Sequence, residues 1–221
     1  MDVLRNLVMT LSSLAQVELI LVLFVTGTII IVLEDWRPCL WALLAQYVLV
    51  GLLLVNVIPL PVALVKVVVG EIVCGILYLT ARRVRWGRGL VEREEPDQAA
   101  SAFRDIFSMN LGFRLLLAVL AALVSYALAS RYAFLEQPEG VAQACYWLGS
   151  IGLLTVIVSR DPFKIGLGLL TFQAGFEVLF AAMENSLSVA ALLGVVNLLI
   201  ALAISYLATA QIAIFIEERR R

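Results

Sequence analysis

Seven long apolar runs constrain the fold of this chain more than any other feature of its sequence. An α-helix rises ~1.5 Å per residue, so about 20 apolar residues cross the roughly 30 Å hydrocarbon core of a bilayer. The runs are continuous rather than alternating, which is typical of helices and not of membrane-barrel strands. The predicted spans are Leu14–Leu33, Cys39–Ile58, Pro61–Ala81, Leu111–Ser130, Val141–Ser159, Phe163–Met183 and Leu187–Phe215. The last run exceeds one crossing, so we expect it to tilt or to emerge from the membrane.

The composition agrees with an all-α polytopic membrane protein. Of the 221 residues, 62% are hydrophobic and only 15% are charged, whereas soluble domains carry about 25% charged residues. No basic start followed by a short apolar core and a small-residue cleavage site is present, so we expect no cleaved signal peptide. We therefore expect lipid, rather than water, to surround most of the chain.

Histidine is absent, and the three cysteines are widely spaced. This pattern favours neither a disulfide framework nor a metal site, and we expect no cofactor. The sequence also lacks a serine–histidine pair and a glycine-rich phosphate loop, which argues against an enzyme. Any proton relay would have to use carboxylates, lysine, amides and water.

The basic residues are distributed unevenly between the two sides of the predicted bundle. One side carries Arg37, the arginines of the polar loop 82–110, Arg114, Arg160, Lys164 and Arg219–Arg221, and the other carries Arg5 and Arg131. By the positive-inside rule, the N-terminus is expected outside the membrane and the C-terminus in the cytoplasm. The polar loop is then expected to be a solvated cytoplasmic linker. Alternatively, it anchors at lipid headgroups or docks on a partner subunit.

A weak internal repeat divides the chain into two halves. Residues 1–81 and 131–221 each hold three predicted helices, and the helix at 111–130 connects them after the polar loop. Pro38 and Pro162 lie 124 residues apart in similar charged turns, and each following helix carries a glutamine, Gln46 or Gln173. Because a single helix connects the halves, both are expected to cross the membrane in the same direction, unlike inverted transporter repeats.

Charged and amide side chains interrupt the apolar runs. Each buried charge costs about 2.5–3.5 kcal/mol on insertion scales, so such groups normally face the bundle interior and mark ion paths. Lys66 and Glu71 are five residues apart, about 140° around a helix, so they should face different neighbours, whereas Gln173 and Glu177 share one face. The candidate ion-translocation residues are Lys66, Glu71, Glu177, Gln173, Gln46 and Asn197.

These polar residues support two interpretations. In the first, they form a lateral, water-bridged chain of groups at mid-membrane depth that exchanges protons or sodium ions. In the second, they only hold helices together, each contributing about 0.6–2 kcal/mol. The sequence alone leaves both interpretations open.

Several short motifs resemble a known family of membrane subunits. The stretch from Glu34-Asp35-Trp36-Arg37-Pro38 to Gln46-Tyr47, followed by Gly70-Glu71-Ile72, resembles the three-helix K subunit of respiratory complex I and the C subunit of Mrp-type cation/proton antiporters. Over most of its length, the chain is more similar to the E component of hydrogenase-4, with two such halves. Gln46 and Gln173 stand where that pattern has glutamate, and Glu177, one turn after Gln173, is the candidate to replace the second.

The resemblance implies a subunit of a complex I-like, group 4 hydrogenase-like or Mrp-like assembly. Such a subunit would lie beside a large antiporter-like subunit and other subunits in the lipid bilayer, and would contribute to proton or sodium translocation. The first alternative is a structural or assembly subunit of the same kind of complex. The second is a stand-alone transporter of a small solute, which the lack of discontinuous helices disfavours.

Overall fold

A computed structural model describes residues 16–55, 57–84, 111–132, 139–183 and 187–218. The described residues form an all-α fold without strands. The predicted helices agree with the observed ones to within a few residues at most ends. The helices are α1 (Gln16–Val32), α2 (Trp36–Leu54), α3 (Leu60–Val84), α4 (Leu111–Arg131), α5 (Glu139–Val158), α6 (Pro162–Met183) and α7 (Leu187–Glu218). The predicted loop 82–110 lies outside the described residues from position 85 onwards.

Six of these helices, α2 to α7, are long and apolar enough to cross a membrane. The described part of α1 has 17 residues, which is about 26 Å at 1.5 Å per residue. The prediction of seven spans is therefore supported for six of them by length and composition. Helix α7, with 32 residues, exceeds a single crossing, as expected.

The ends of the helices follow local chemistry. Pro162 is the first residue of α6, where proline loses no helical hydrogen bond, and the Asp161 carboxylate accepts a hydrogen bond from the Phe163 backbone N–H at 3.3 Å. Pro38 is tolerated in the first turn of α2 for the same reason. Helix α3 continues three residues past the predicted end, and its last turn holds Arg82 and Arg83, which suit the negative end of the helix dipole.

Corresponding helices of the two sequence halves contact each other: α1 contacts α5, α2 contacts α6, and α3 contacts α7. One hydrogen bond links each pair, and the bonded residues are 124 or 125 positions apart in the chain. The bonds run from Trp147 to the Leu23 carbonyl (3.0 Å), from Thr171 to Gln46 (3.2 Å) and from Thr80 to Ser205 (2.8 Å). These separations match the spacing of Pro38 and Pro162. The division into two halves and their parallel arrangement stay predictions.

Two apolar clusters form the core between these helices. In one, the fully buried Trp147 stacks on Phe24 with ring centroids 4.1 Å apart. The other includes Phe163, Tyr47 and Leu77. The closest helix packing is between α5 and α6, where a Cβ on Gly175 would lie 2.7 Å from the backbone nitrogen of Gly149. Glycine is required there because the two backbones approach each other directly.

Candidate functional site

The buried ion pair between Lys66 and Glu177 is the centre of the polar interior. The Lys66 Nζ lies 3.6 Å from the Glu177 Oε2, and the two side chains are 9% and 5% exposed. The lysine also donates a hydrogen bond to the Glu177 backbone carbonyl at 3.5 Å. The pair joins α3 of the first half to α6 of the second, across 111 residues of sequence.

Helix α7 adds a third polar group to this pair. The Asn197 Nδ2 donates a hydrogen bond to the Glu177 Oε1 at 2.7 Å, so both carboxylate oxygens have a partner. Asn197 is buried, and its Oδ1 has no hydrogen-bond partner in the described part of the chain. We call Lys66, Glu177 and Asn197 the interior triad. It brings together three of the six residues that the sequence proposed for ion translocation.

The position of Lys66 on α3 explains why this lysine reaches the interior. The buried positions of α3 include Val62, Ala63, Gly70, Val73 and Leu77. At 100° per residue, these positions and position 66 lie on the same side of the helix. The lysine therefore faces α6, and the expectation that Lys66 and Glu71 face different neighbours is confirmed.

Gln46 on α2 and Thr171 on α6 form a second buried polar contact. Both side chains are buried, and the Thr171 hydroxyl donates to the Gln46 Oε1 at 3.2 Å. The Gln46 Nε2 has no partner among the described residues, and neither does the buried Tyr47 hydroxyl. Thr171 and Glu177 are six residues apart on α6, so this contact lies about 9 Å along the helix from the interior triad.

Tyr47 follows Gln46 on α2, and its ring packs against Gly70 of α3. A buried hydroxyl and amide without partners are costly in a protein interior, about 1–3 kcal/mol each. The described residues therefore leave polar atoms of Gln46 and Tyr47 unsatisfied in the interior of the bundle.

Glu71 and Gln173 do not join the interior triad. Gln173 is half-buried, one turn before Glu177 on α6. Glu71 is exposed on the outside of the bundle, near the middle of α3. The physical reason is its neighbour: Gly70 packs against the Tyr47 ring, so position 71, about 100° further round, has to face outward. The candidate ion-translocation residues therefore do not form one continuous group: most lie inside the bundle, and the Glu71 carboxylate lies outside it.

Two features of the interior were not among the sequence-based candidates. Thr171 was missed because a threonine in an apolar helix commonly bonds its own backbone, as it also does here to the Leu167 carbonyl at 2.9 Å. Lys164 was assigned to the basic side of the membrane, yet its side chain is buried and donates to the Leu33 carbonyl at 2.7 Å. This bond satisfies one free carbonyl at the end of α1.

The arrangement can hold and move a proton without a cofactor. A buried lysine–glutamate pair has two states of the same net charge: both groups ionised, or both neutral after proton transfer from the lysine ammonium to the glutamate carboxylate. Because isolated charges are costly in a low-dielectric interior, charge arriving nearby changes the balance between these states.

Comparisons with protein-family models, with curated proteins and with solved structures find no match. The function proposed below therefore rests on the geometry of the site.

Proposed function

We propose that this chain is an ion-translocating membrane subunit of a multisubunit assembly of the complex I-like, group 4 hydrogenase-like or Mrp-like kind. In this proposal the interior triad relays protons, or responds to a passing sodium ion, beside a large antiporter-like subunit. The chain is not itself an enzyme. It lies in a prokaryotic plasma membrane with its N-terminus outside and its C-terminus in the cytoplasm.

The observation that carries the proposal is the Lys66–Glu177 pair, which is buried between two helices long and apolar enough to cross a membrane and is bound by Asn197. A buried pair is weak evidence for stability, since apolar residues of similar volume usually stabilise a fold as well or better. Ionisable groups inside a membrane protein are instead typical of proton relays and ion paths. The unsatisfied polar atoms of Gln46 and Tyr47 extend this polar interior towards α2.

The experiment that tests the proposal measures ion translocation in membrane vesicles from cells that produce the complete assembly. Glu177→Gln keeps the size and the hydrogen bond from Asn197 but removes the titratable group. Because this variant leaves the Lys66 charge without its partner, the rate is measured per assembled complex, and we expect the assembled complex to lose proton or sodium translocation. Glu18→Gln is the matched control, because Glu18 is exposed near the start of α1. Translocation at the unaltered rate in Glu177→Gln would overturn the proposal.

The second candidate is a structural subunit of the same kind of assembly, in which the polar groups only bind helices together. One observation favours it: both Glu177 carboxylate oxygens are already occupied, by Lys66 and Asn197. This candidate predicts that translocation persists when Lys66, Glu71 and Glu177 are all replaced by neutral residues of similar size and the assembly still forms.

A further inference from the structure

Glu71 is an exposed carboxylate at a depth where lipid cannot solvate it. It lies near the middle of the 25-residue helix α3, and neither a hydrogen bond nor an ion pair to it is present among the described residues. A charged group facing hydrocarbon costs several kcal/mol, and such groups are almost always paired or turned inward. The outward position of Glu71 therefore requires a group from outside this chain.

A groove between α2 and α3 passes Glu71. It has a volume of about 990 Å³ and is lined by Leu40, Trp41, Leu44, Glu71, Cys74, Gly75 and Tyr78, with Trp36, Arg37 and Arg82 at one end. Its floor includes the buried Leu40 and Cys74, while Trp41, 72% exposed, forms one wall. On α3, positions 71, 75, 78 and 82 form one stripe along the groove.

Gly75 makes this groove suitable for a helix. A Cβ built at Gly75 would meet no atom within 4 Å, so its backbone is open to a neighbour. Small residues at such positions let helix backbones approach closely in membranes, where close packing and interhelical polar contacts drive association. Glu71, one turn before Gly75, would then face the occupying helix directly.

We propose that the groove between α2 and α3 seats a transmembrane helix of a neighbouring subunit, and that a lysine or arginine of that helix pairs with Glu71. The inference rests on the proposed function for the existence of a neighbouring subunit. Charge complementarity identifies the occupant, since a cation at the depth of Glu71 removes the cost of the exposed carboxylate and replaces its missing partner.

Two other occupants fit the groove less well. Arg37 and Arg82 at its end could bind an anionic lipid headgroup, but the acyl chains would then lie against Glu71 and leave the carboxylate unpaired. A second copy of this chain offers no free cation near that depth among the described residues, because Lys66 is paired with Glu177 and Lys164 is bound to the Leu33 carbonyl. Two copies of Glu71 meeting face to face would repel each other.

The test places a photoreactive benzophenone amino acid at position 75 in the full chain, in membranes of cells that produce the complete assembly. Irradiated membranes are analysed by mass spectrometry to identify the crosslinked peptide. The matched control carries the same probe at Leu116, an exposed residue of α4 away from the groove. We expect position 75 to crosslink to a membrane span of a different subunit that has a lysine or arginine within one turn of the crosslink, and Leu116 not to crosslink to that span.

A charge exchange provides the second measurement. Glu71→Lys is expected to reduce recovery of the crosslinked subunit by at least about tenfold, because like charges at a close interface oppose association. Replacing the partner's basic residue by glutamate in the same cells should restore recovery. Adducts with lipid alone, with a second copy of the chain, with a span that lacks a basic residue, or no adduct at position 75 would overturn the inference, as would full recovery with Glu71→Lys.

Failure of this inference can be distinguished from failure of the proposed function. Crosslinking and recovery report association, whereas the Glu177→Gln variant reports translocation in an assembled complex. If Glu177→Gln translocates ions normally while the charge exchange behaves as expected, the docking surface stands and the proposed function falls. The reverse pair of results would retain the translocation role and reject the docking surface.

Discussion

Lys66 on α3 and Glu177 on α6 form a buried ion pair, with the lysine nitrogen 3.6 Å from the carboxylate oxygen. Removing one partner leaves the other charge buried without compensation, which costs about 3–5 kcal/mol. We therefore expect Lys66→Met or Glu177→Leu alone to lower the free energy of unfolding by about this amount. The double variant should recover most of the loss. Unfolding of the purified chain in detergent measures this, and additive losses in the double variant would contradict a direct interaction.

Asn197 should stabilise the charged form of Glu177. A hydrogen bond to a charged group contributes about 1.5–3 kcal/mol, so we expect Asn197→Ala to destabilise the chain by an amount in this range. Thr209→Ala on the same helix is the control, because Thr209 is exposed and, among the described residues, bonds to the Ser205 and Tyr206 carbonyls of its own helix. Equal stability of the two variants in the same unfolding measurement would show that the Asn197 bond contributes nothing.

Gly70 should not tolerate a side chain, whereas Gly75 should. A Cβ at Gly70 would overlap the Tyr47 ring, so Gly70→Ala forces a shift that costs about 1–3 kcal/mol. The Gly75 position is open, and Gly75→Ala should stabilise the isolated chain by about 0.5–1 kcal/mol because alanine is the better helix former. Thermal unfolding of the two variants checks this, and a similar effect at both glycines would mean that Tyr47 does not pack on Gly70 as described.

The Gln46→Leu variant tests whether Gln46 contributes to ion translocation or only to stability. Gln46→Leu removes an amide with an unsatisfied nitrogen, and Thr171 keeps its bond to the Leu167 carbonyl. Replacing such a group by an apolar one of similar size can be nearly neutral, so we expect a stability change within about 1 kcal/mol. If the proposed ion path passes Gln46, ion translocation in vesicles should nevertheless decrease clearly. An unchanged rate would limit the path to the interior triad.

The helices could be predicted closely from the sequence because the length of an apolar run is set by the membrane. Breaks such as Asp161-Pro162 mark helix starts by local chemistry alone. The end of α3 could not be predicted to the residue, because Arg82 and Arg83 suit both a helix end and a loop, and the helix continues to Val84.

The partners of the polar residues could not be predicted in the same way. Spacing indicated that Lys66 and Glu71 face different directions, but which one faces inward depends on Gly70 packing against Tyr47 from another helix. The Lys66–Glu177 pair depends on how α3 and α6 meet across 111 residues. No local sequence pattern predicts which residues of α3 and α6 contact each other.

The most direct test of the proposed translocation role uses the double variant Lys66→Gln/Glu177→Gln in membrane vesicles. This change removes both charges together and so leaves no unpaired buried ion, and assembly is checked by recovery of the complete complex. The account predicts an assembled complex that has lost proton or sodium translocation. An assembled complex that translocates ions at the unaltered rate would contradict it.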